Sequence, residues 1–275
     1  MTSFVQGDHD YLVPVVPGRG PDGRGRAQTY RWPTNAREIT PSDLAIAAVD
    51  LVVLQRPRDV ELCDEWLGGR RVGHDLPAVW VEHNAPQGNV EEMRHPAVAL
   101  GGDVRVVHVT AANALLWDTG DVPTHVIEHG IIDPGPRYTG DVPRAAVVVN
   151  EPVRRTRVAG IDLLGAFARV ADLDAFGMDT EPLEEIVPGL RAFGDVPHDV
   201  LLDLVARRRV YLHPYRWTSL GLALIEAMML AMPVVVVASL EAATSIPREA
   251  GVVSNRVDEL IEGLDHLLRD RREAA

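Results

Sequence analysis

Apolar residues in this chain gather in short β-branched runs, separated by stretches in which they recur at helical spacing. Strands are predicted over 48–54 (AVDLVVL), 78–82 (AVWVE), 104–110 (VRVVHVT) and 124–127. Helices are predicted over 58–67 and 111–117. The alternation stops at 133–143 (DPGPRYTGDVP), a loop rich in Pro and Gly, and then restarts. Strands follow over 145–150, 173–176, 191–193, 210–213 and 233–237, with helices over 159–171, 197–207, 220–230 and 257–269. Continuous apolar strands alternating with helices imply parallel sheets covered on both faces. The restart places a domain boundary in the loop, giving residues 1–138 and 139–275 as two tandem doubly wound, Rossmann-like α/β domains. The segment 17–34, rich in Gly, Arg and Pro, is predicted as a loop.

Composition narrows the class. Of 275 residues, 46% are hydrophobic, which supports a sizeable core and argues against disorder. The formal net charge of −13 argues against nucleic acid as a partner. Arginine carries most of the positive charge and clusters at 19–26, 154–157 and 207–209. The single cysteine, Cys63, cannot form an internal disulfide. There is no apolar run of membrane-spanning length, and the N-terminus lacks the pattern of a signal peptide. The expectation is a cytoplasmic protein.

The chemistry concentrates in 211–228 (YLHPYRWTSLGLALIEAM). An apolar strand ends at His213-Pro214, a polar turn follows, and an apolar helix opens near Ser219. Ligands of parallel sheets sit beyond the carboxyl ends of the strands, so this turn faces a ligand crevice. A helix N-terminus there presents free N–H groups and a positive dipole end, a fit for phosphate. Gly221 allows close approach to the backbone. Glu226, two turns beyond Ser219, is placed to accept hydrogen bonds from the vicinal hydroxyls of a ribose. Spacing alone equally allows Glu226 as a half-solvated residue of an amphipathic helix.

The stretch SLGLALIEAMMLAMPVVV resembles the signature of retaining glycosyltransferases of the GT-B fold, with the context E-G-F-G-L-x-x-x-E-A-M-A-x-G-x-P-V-V. Gly221, Leu222, Glu226, Ala227, Met228, Pro233, Val234 and Val235 match; the first family glutamate falls on the neutral Thr218. The W-T-S-L-G-L form is similar to an actinobacterial-type subgroup of family 4-like members. The segment 127–133 (IEHGIID) resembles the family's interdomain P-N-G-I/V-D, with His129 in place of Asn beside Gly130. The segment 149–164 (VNEPVRRTRVAGIDLL) resembles G-R-x-x-x-x-K-G-x-D-x-L-L, placing the family arginine on Arg154 and the family lysine on Ala159. The resemblance implies that Arg154 and Arg155 neutralise a donor diphosphate, with Arg157 nearby to replace the absent lysine charge. It also implies His83, at the end of the strand 78–82, as a catalytic-side residue facing the donor sugar. The implied donor-binding set is His129, Gly130, Arg157, His213, Thr218, Ser219, Leu220, Gly221, Leu222 and Glu226.

What the resemblance implies overall is a metal-independent hexosyl transfer from a nucleotide-diphosphate sugar, such as a UDP- or GDP-sugar, to an acceptor hydroxyl with retention. No cofactor is expected beyond the donor itself. The acceptor stays open between a small molecule, a glycan and a lipid-linked hydroxyl, with the arginine loop 19–26 as a peripheral membrane contact or a solvated loop. Relatives open with a strand and a Gly-rich loop and close with helices returning to the first domain; the expectation is that the N-terminal, acceptor-side domain is incomplete. Two alternatives are carried: a catalytically impaired nucleotide-sugar-binding module, and a GT-B epimerase acting on nucleotide sugars. A dinucleotide oxidoreductase is disfavoured, because the glycines of 17–26 follow no complete strand and open no helix.

Overall fold

In a computed structural model describing residues 3–269, the chain divides into two units, the first ending at His129 and the second beginning at Gly130. The division lies upstream of the expected boundary at 138. Residues 137–140 hydrogen bond within the second unit: the N–H groups of Arg137 and Tyr138 donate to Leu230 O at 3.2 and 3.0 Å, and that of Thr139 to Ala206 O at 3.0 Å.

The first unit contains β1 (Tyr11–Pro14), β2 (Ala36–Ile39), β3 (Val52–Leu54), β4 (Ala78–Glu82), β5 (Val104–His108) and β6 (Thr124–Val126). Its helices are α1 (Pro41–Leu44), α2 (Pro57–Trp66) and α3 (Ala111–Leu116). β3 to β6 form a parallel four-stranded sheet in chain order, and β1 pairs with β2 in a separate parallel ribbon. That ribbon was not expected. Its flanking loop does carry arginines, but Arg19 is ion-paired with Glu38 at 2.8 Å and the Arg26 guanidinium donates to Ala36 O at 3.1 Å. The core packs Leu54, Trp80 and Val106 of the sheet against Leu44 and Leu67. Burial, with Asp59 and Asp64 beside it, pushes the Cys63 thiol up to about 12, so it stays protonated.

β4 and β5 end in polar residues that lie in phase with the buried positions, and Glu82 pairs in register with His108. Beneath them His95 accepts from Ala97 N–H through Nδ1 at 3.1 Å, so its Nε2–H is left to donate to Glu82 Oε2 at 3.2 Å. Asn84 N–H donates to the other Glu82 oxygen at 2.7 Å.

The second unit contains β7 (Val142–Val148), α4 (Ile161–Phe167), β8 (Leu173–Phe176), α5 (Leu183–Ile186), β9 (Arg191–Ala192), α6 (His198–Arg207) and β10 (Arg208–His213). It continues with α7 (Leu222–Met229), β11 (Val234–Val237), α8 (Ala242–Ser245), β12 (Gly251–Ser254) and α9 (Val257–Arg269). All pairings are parallel, in the order β12-β11-β10-β7-β8-β9. α4 and α9 cover one face of the sheet, through Leu164, Phe167, Leu260 and Leu264. α6 and α7 cover the other, through Leu202, Val205, Leu224 and Ala227. The order reverses between β7 and β10, so the chain leaves these two neighbours in opposite directions and opens a crevice at their carboxyl ends. At the opposite end of the strands Asp174, 1% exposed, is gripped by two buried arginines, Arg144 and Arg208. The Arg208 guanidinium also stacks over Phe176 and Phe193 at 5.1 and 4.9 Å.

Candidate functional site

The site is built from the two segments that leave the switch-point strands. One is 149–160, after β7; the other is 214–221, after β10. They lie against each other. Arg216 N–H donates to Val158 O at 3.0 Å and Trp217 N–H to the same carbonyl at 3.3 Å. Gly160 has φ +69, and a Cβ there would fall 1.9 Å from Pro214 O, so only glycine admits this contact. Tyr215 ties the strands themselves together: its hydroxyl donates to Val148 O at 3.3 Å, and Ser239 Oγ–H donates to Tyr215 O at 2.9 Å.

Aromatic rings form a column beneath the turn. His213 stacks on Tyr215 with centroids 4.6 Å apart and lies 6.0 Å from Tyr211. Burial pushes the His213 imidazole down to about 3, so it is neutral at physiological pH. Neither His213 nitrogen has a protein partner among the described residues, nor has the Tyr211 hydroxyl. Gly221 packs on this ring; a Cβ there would meet His213 Cε1 at 2.5 Å. Gly221 is also the N-cap of α7 and has no side chain with which to cap it.

The structure sorts the three candidate arginines. Arg155 lies over the Tyr215 ring at 5.7 Å, which puts its charge beside the turn. Its neighbour Arg154 is exposed and ion-paired with Glu151 inside its own loop, which holds the guanidinium above its ordinary range. Arg157 reaches Asp162 Oδ2 at 3.0 Å. Asp162 also receives Arg216, and that hydrogen bond holds its carboxyl below the usual range. Ala159, where the family lysine would stand, is fully buried in the core, so no cation is projected from that position.

Glu226 lies in α7, and its Oε1 accepts from His198 Nε2 at 2.7 Å. His198 opens α6 and follows Pro197; it was not among the expected residues. Ser219 is buried, whereas Thr218, Leu220 and Gly221 are partly exposed and Leu222 is exposed. The expected donor-side residues Arg155, Thr218, Ser219, Leu220, Gly221, Leu222 and Glu226 thus sit on the two crossing segments or the helix the second of them opens, and His213 ends β10 just before that segment. Of the remaining expected residues, His83 directly follows β4 in the first unit, where burial pushes its imidazole below its ordinary value. His129 and Gly130 are the residues at which the units divide. Among the described residues no group of three or more His, Cys, Asp or Glu side chains is arranged to hold a metal ion, and no helix is long and apolar enough to cross a membrane.

Residues 161–270 match the model of a family described as Glycosyl transferases group 1. No curated protein sequence matches the chain. Among solved structures, HepE from Anabaena, in complex with UDP and glucose, superposes with a TM-score of 0.62 at 14% identity, over 82% of this chain and 70% of that one. Sucrose-phosphate synthase from Thermosynechococcus elongatus superposes with a TM-score of 0.61 at 17% identity, over 82% of this chain and 65% of the synthase. A point mutant of S. aureus TarM, in complex with Fondaparinux, alpha-GlcNAc-glycerol and UDP, gives a TM-score of 0.57 at 14% identity. That match covers 73% of this chain and 45% of TarM. The structural neighbours are GT-B glycosyltransferases, and the fold is the GT-B fold, two Rossmann-like units in tandem. The chain spans about half of the length of TarM and about two thirds of that of the synthase.

Proposed function

We propose that the chain transfers a hexosyl group from a nucleotide-diphosphate sugar to an acceptor hydroxyl with retention at the anomeric carbon. The observation that carries this is the crossing of 149–160 and 214–221 at the strand-order reversal of the second unit. Arg155 lies over the Tyr215 ring on those segments, and the helix that the second of them opens, α7, carries the largely shielded carboxylate of Glu226.

The roles follow from the charges. The leaving nucleoside diphosphate gathers negative charge as the glycosidic bond to the donor breaks. The N–H groups of Gly221 and Leu222 and the dipole of α7 stabilise that charge, and the Arg155 guanidinium adds a full positive charge beside them. Glu226 accepts from the ribose hydroxyls and fixes the register of the donor. Thr218 and Ser219 offer hydroxyls at the turn, while His213, neutral and packed under Gly221, supports the backbone without adding charge. The diphosphate of the donor deprotonates the acceptor hydroxyl on the face from which it leaves, so no protein nucleophile or metal enters. The acceptor is a small molecule, a glycan or a lipid-linked hydroxyl. We place the reaction in the cytoplasm.

The test is turnover of a panel of UDP-, GDP- and ADP-sugars, with the anomer of the product read by NMR. UDP, present in the HepE and TarM complexes, is the first probe. Arg155→Ala should slow transfer by about a hundredfold or more, the effect of removing one charge-stabilising donor, and Glu226→Ala, which removes the acceptor of the ribose hydroxyls, should lower kcat/KM through weaker binding of the donor. Arg154→Ala should cost far less, because that guanidinium is engaged by Glu151. Near-normal turnover in both Arg155→Ala and Glu226→Ala would overturn the site. Nucleotide-sugar binding without turnover would favour the binding module instead, which the buried Ala159 and the neutral Thr218 also fit.

A further inference from the structure

Glu226 is a half-buried carboxylate on an otherwise apolar helix, and one of its oxygens is already taken. His198 Nε2 lies 2.7 Å from Oε1. A carboxylate only accepts hydrogen bonds, so Nε2 carries the proton and donates. The two residues stand on different helices: His198 is the first residue of α6 and Glu226 is past the middle of α7. Both side chains are mostly shielded, with 21% and 15% of their surface exposed, so the bond is made where solvent competes weakly. Among the described residues, Oε2 accepts from no protein donor. On the buried side, the Tyr211 phenol is held well above its ordinary range by burial, with Tyr215 and then the charge of Glu226 adding to the shift. Its hydroxyl has no protein partner either.

We infer that His198 is a positioning residue that locks Glu226 into one rotamer and sets the preference of the site for ribonucleotides. This rests on the proposed reading of Glu226 as the ribose acceptor. The physical basis is pre-organisation. A free glutamate side chain must give up rotamer freedom before it can meet a ribose diol, and that cost weakens the contact. With Oε1 fixed by His198, the remaining lone pairs of Oε1 and Oε2 point in a set direction. A ribose whose 2′-hydroxyl donates there gains a charge-assisted hydrogen bond. A 2′-deoxyribose leaves a half-buried carboxylate oxygen without that donor, and so is disfavoured. His198 touches no part of the ligand in this scheme; it acts through Glu226.

The experiment is calorimetric titration of the full chain with UDP, ADP and GDP, with their 2′-deoxy counterparts, and with inorganic pyrophosphate. Wild type should bind at least one ribonucleotide more tightly than its deoxy form. His198→Leu, which removes the donor, should reduce that ribo-over-deoxy preference by about tenfold, the worth of one hydrogen bond to a charged group. Its affinity for the deoxynucleotide and for pyrophosphate should be unchanged. His198→Gln, whose amide N–H can still reach Oε1, should keep most of the preference. A merely structural role for His198 would weaken all ligands together in both variants, and that outcome overturns the inference. So does an unchanged preference in His198→Leu while wild type still discriminates. If wild type binds none of the three nucleotides, the reading of the site itself is overturned and this inference falls with it. That result is distinct from the others, because it is seen before any variant is made.

Discussion

Gly221→Ala isolates one contact on which the turn depends. The backbone at Gly221 has φ −67 and ψ 126, a conformation any residue adopts, so the substitution adds no torsional strain. What it adds is a methyl group 2.5 Å from His213 Cε1 and 3.1 Å from Nε2. The imidazole cannot easily retreat, because it is buried and stacked on Tyr215 at 4.6 Å. Forcing a methyl group into a packed site of this kind costs about 1–3 kcal/mol. Two smaller effects act at the same position. Alanine is a poorer N-cap than glycine, and it also restricts the unfolded chain; these oppose each other and roughly cancel. His213→Ala removes the obstructing ring. The double variant should therefore be less destabilised than the sum of the singles, with a coupling of about 1–3 kcal/mol measured by urea unfolding of all four proteins. Additivity to within about 0.5 kcal/mol would mean that the two residues do not touch, and would refute the packing argument for the turn. Because the displaced N–H groups head α7, Gly221→Ala should also weaken nucleotide diphosphate binding.

The buried His213 predicts a pH dependence. Its folded-state value of about 3 lies below the ordinary 6.5, so in that window the unfolded chain binds the proton and the folded chain does not. Its stabilising effect is complete above pH 6.5 and is lost as pH falls toward 3, at up to about 1.4 kcal/mol per pH unit. His213→Asn should flatten the stability profile between pH 6.5 and 5 by that slope; parallel profiles for the two proteins would contradict the burial. Asp174→Asn leaves Arg144 and Arg208 short of their shared anionic partner in the core, and should lower the stability of the second unit by about 3–5 kcal/mol in scanning calorimetry. A loss under about 1 kcal/mol would show that the remaining contacts of Arg208, to Leu204 O and the two phenylalanine rings, suffice to hold it.

Much of the architecture was legible in the sequence, most clearly in the second unit, whose central strands β7, β8, β10 and β11 are buried on both faces. The segments 78–82 and 173–176 read as strands, and the observed β4 and β8 have those bounds. The strongly amphipathic 257–269 likewise marked where α9 begins, at Val257. Among the elements that escaped, β1 and β12 are short and have no buried residue; Pro14 and Pro17 break up the apolar stretch around β1, and β12 offers only two apolar residues after Gly251. The turn before Gly221 was readable because its chemistry is local. The choice of Arg155 over its neighbour was not, since only tertiary packing decides which of two adjacent side chains meets Tyr215 and which meets Glu151. The His198–Glu226 pair joins two helices separated by a strand, and no local pattern encodes it. The Glu82–His95 pair had a faint signal. Glu82 and His108 fall in phase with Trp80 and Val106, which are inward positions, so a buried polar cluster could have been expected there.

The turn that crosses 149–160 carries Trp217, and the other four of the five tryptophans, at 32, 66, 80 and 117, all belong to the first unit. Nature has thus left a single spectroscopic label on the proposed donor edge. Incorporating fluorotryptophan would give one fluorine resonance from that edge, assignable by Trp217→Phe, against four that monitor the rest of the chain. Occupancy of the crevice could then be followed resonance by resonance, without attaching any dye.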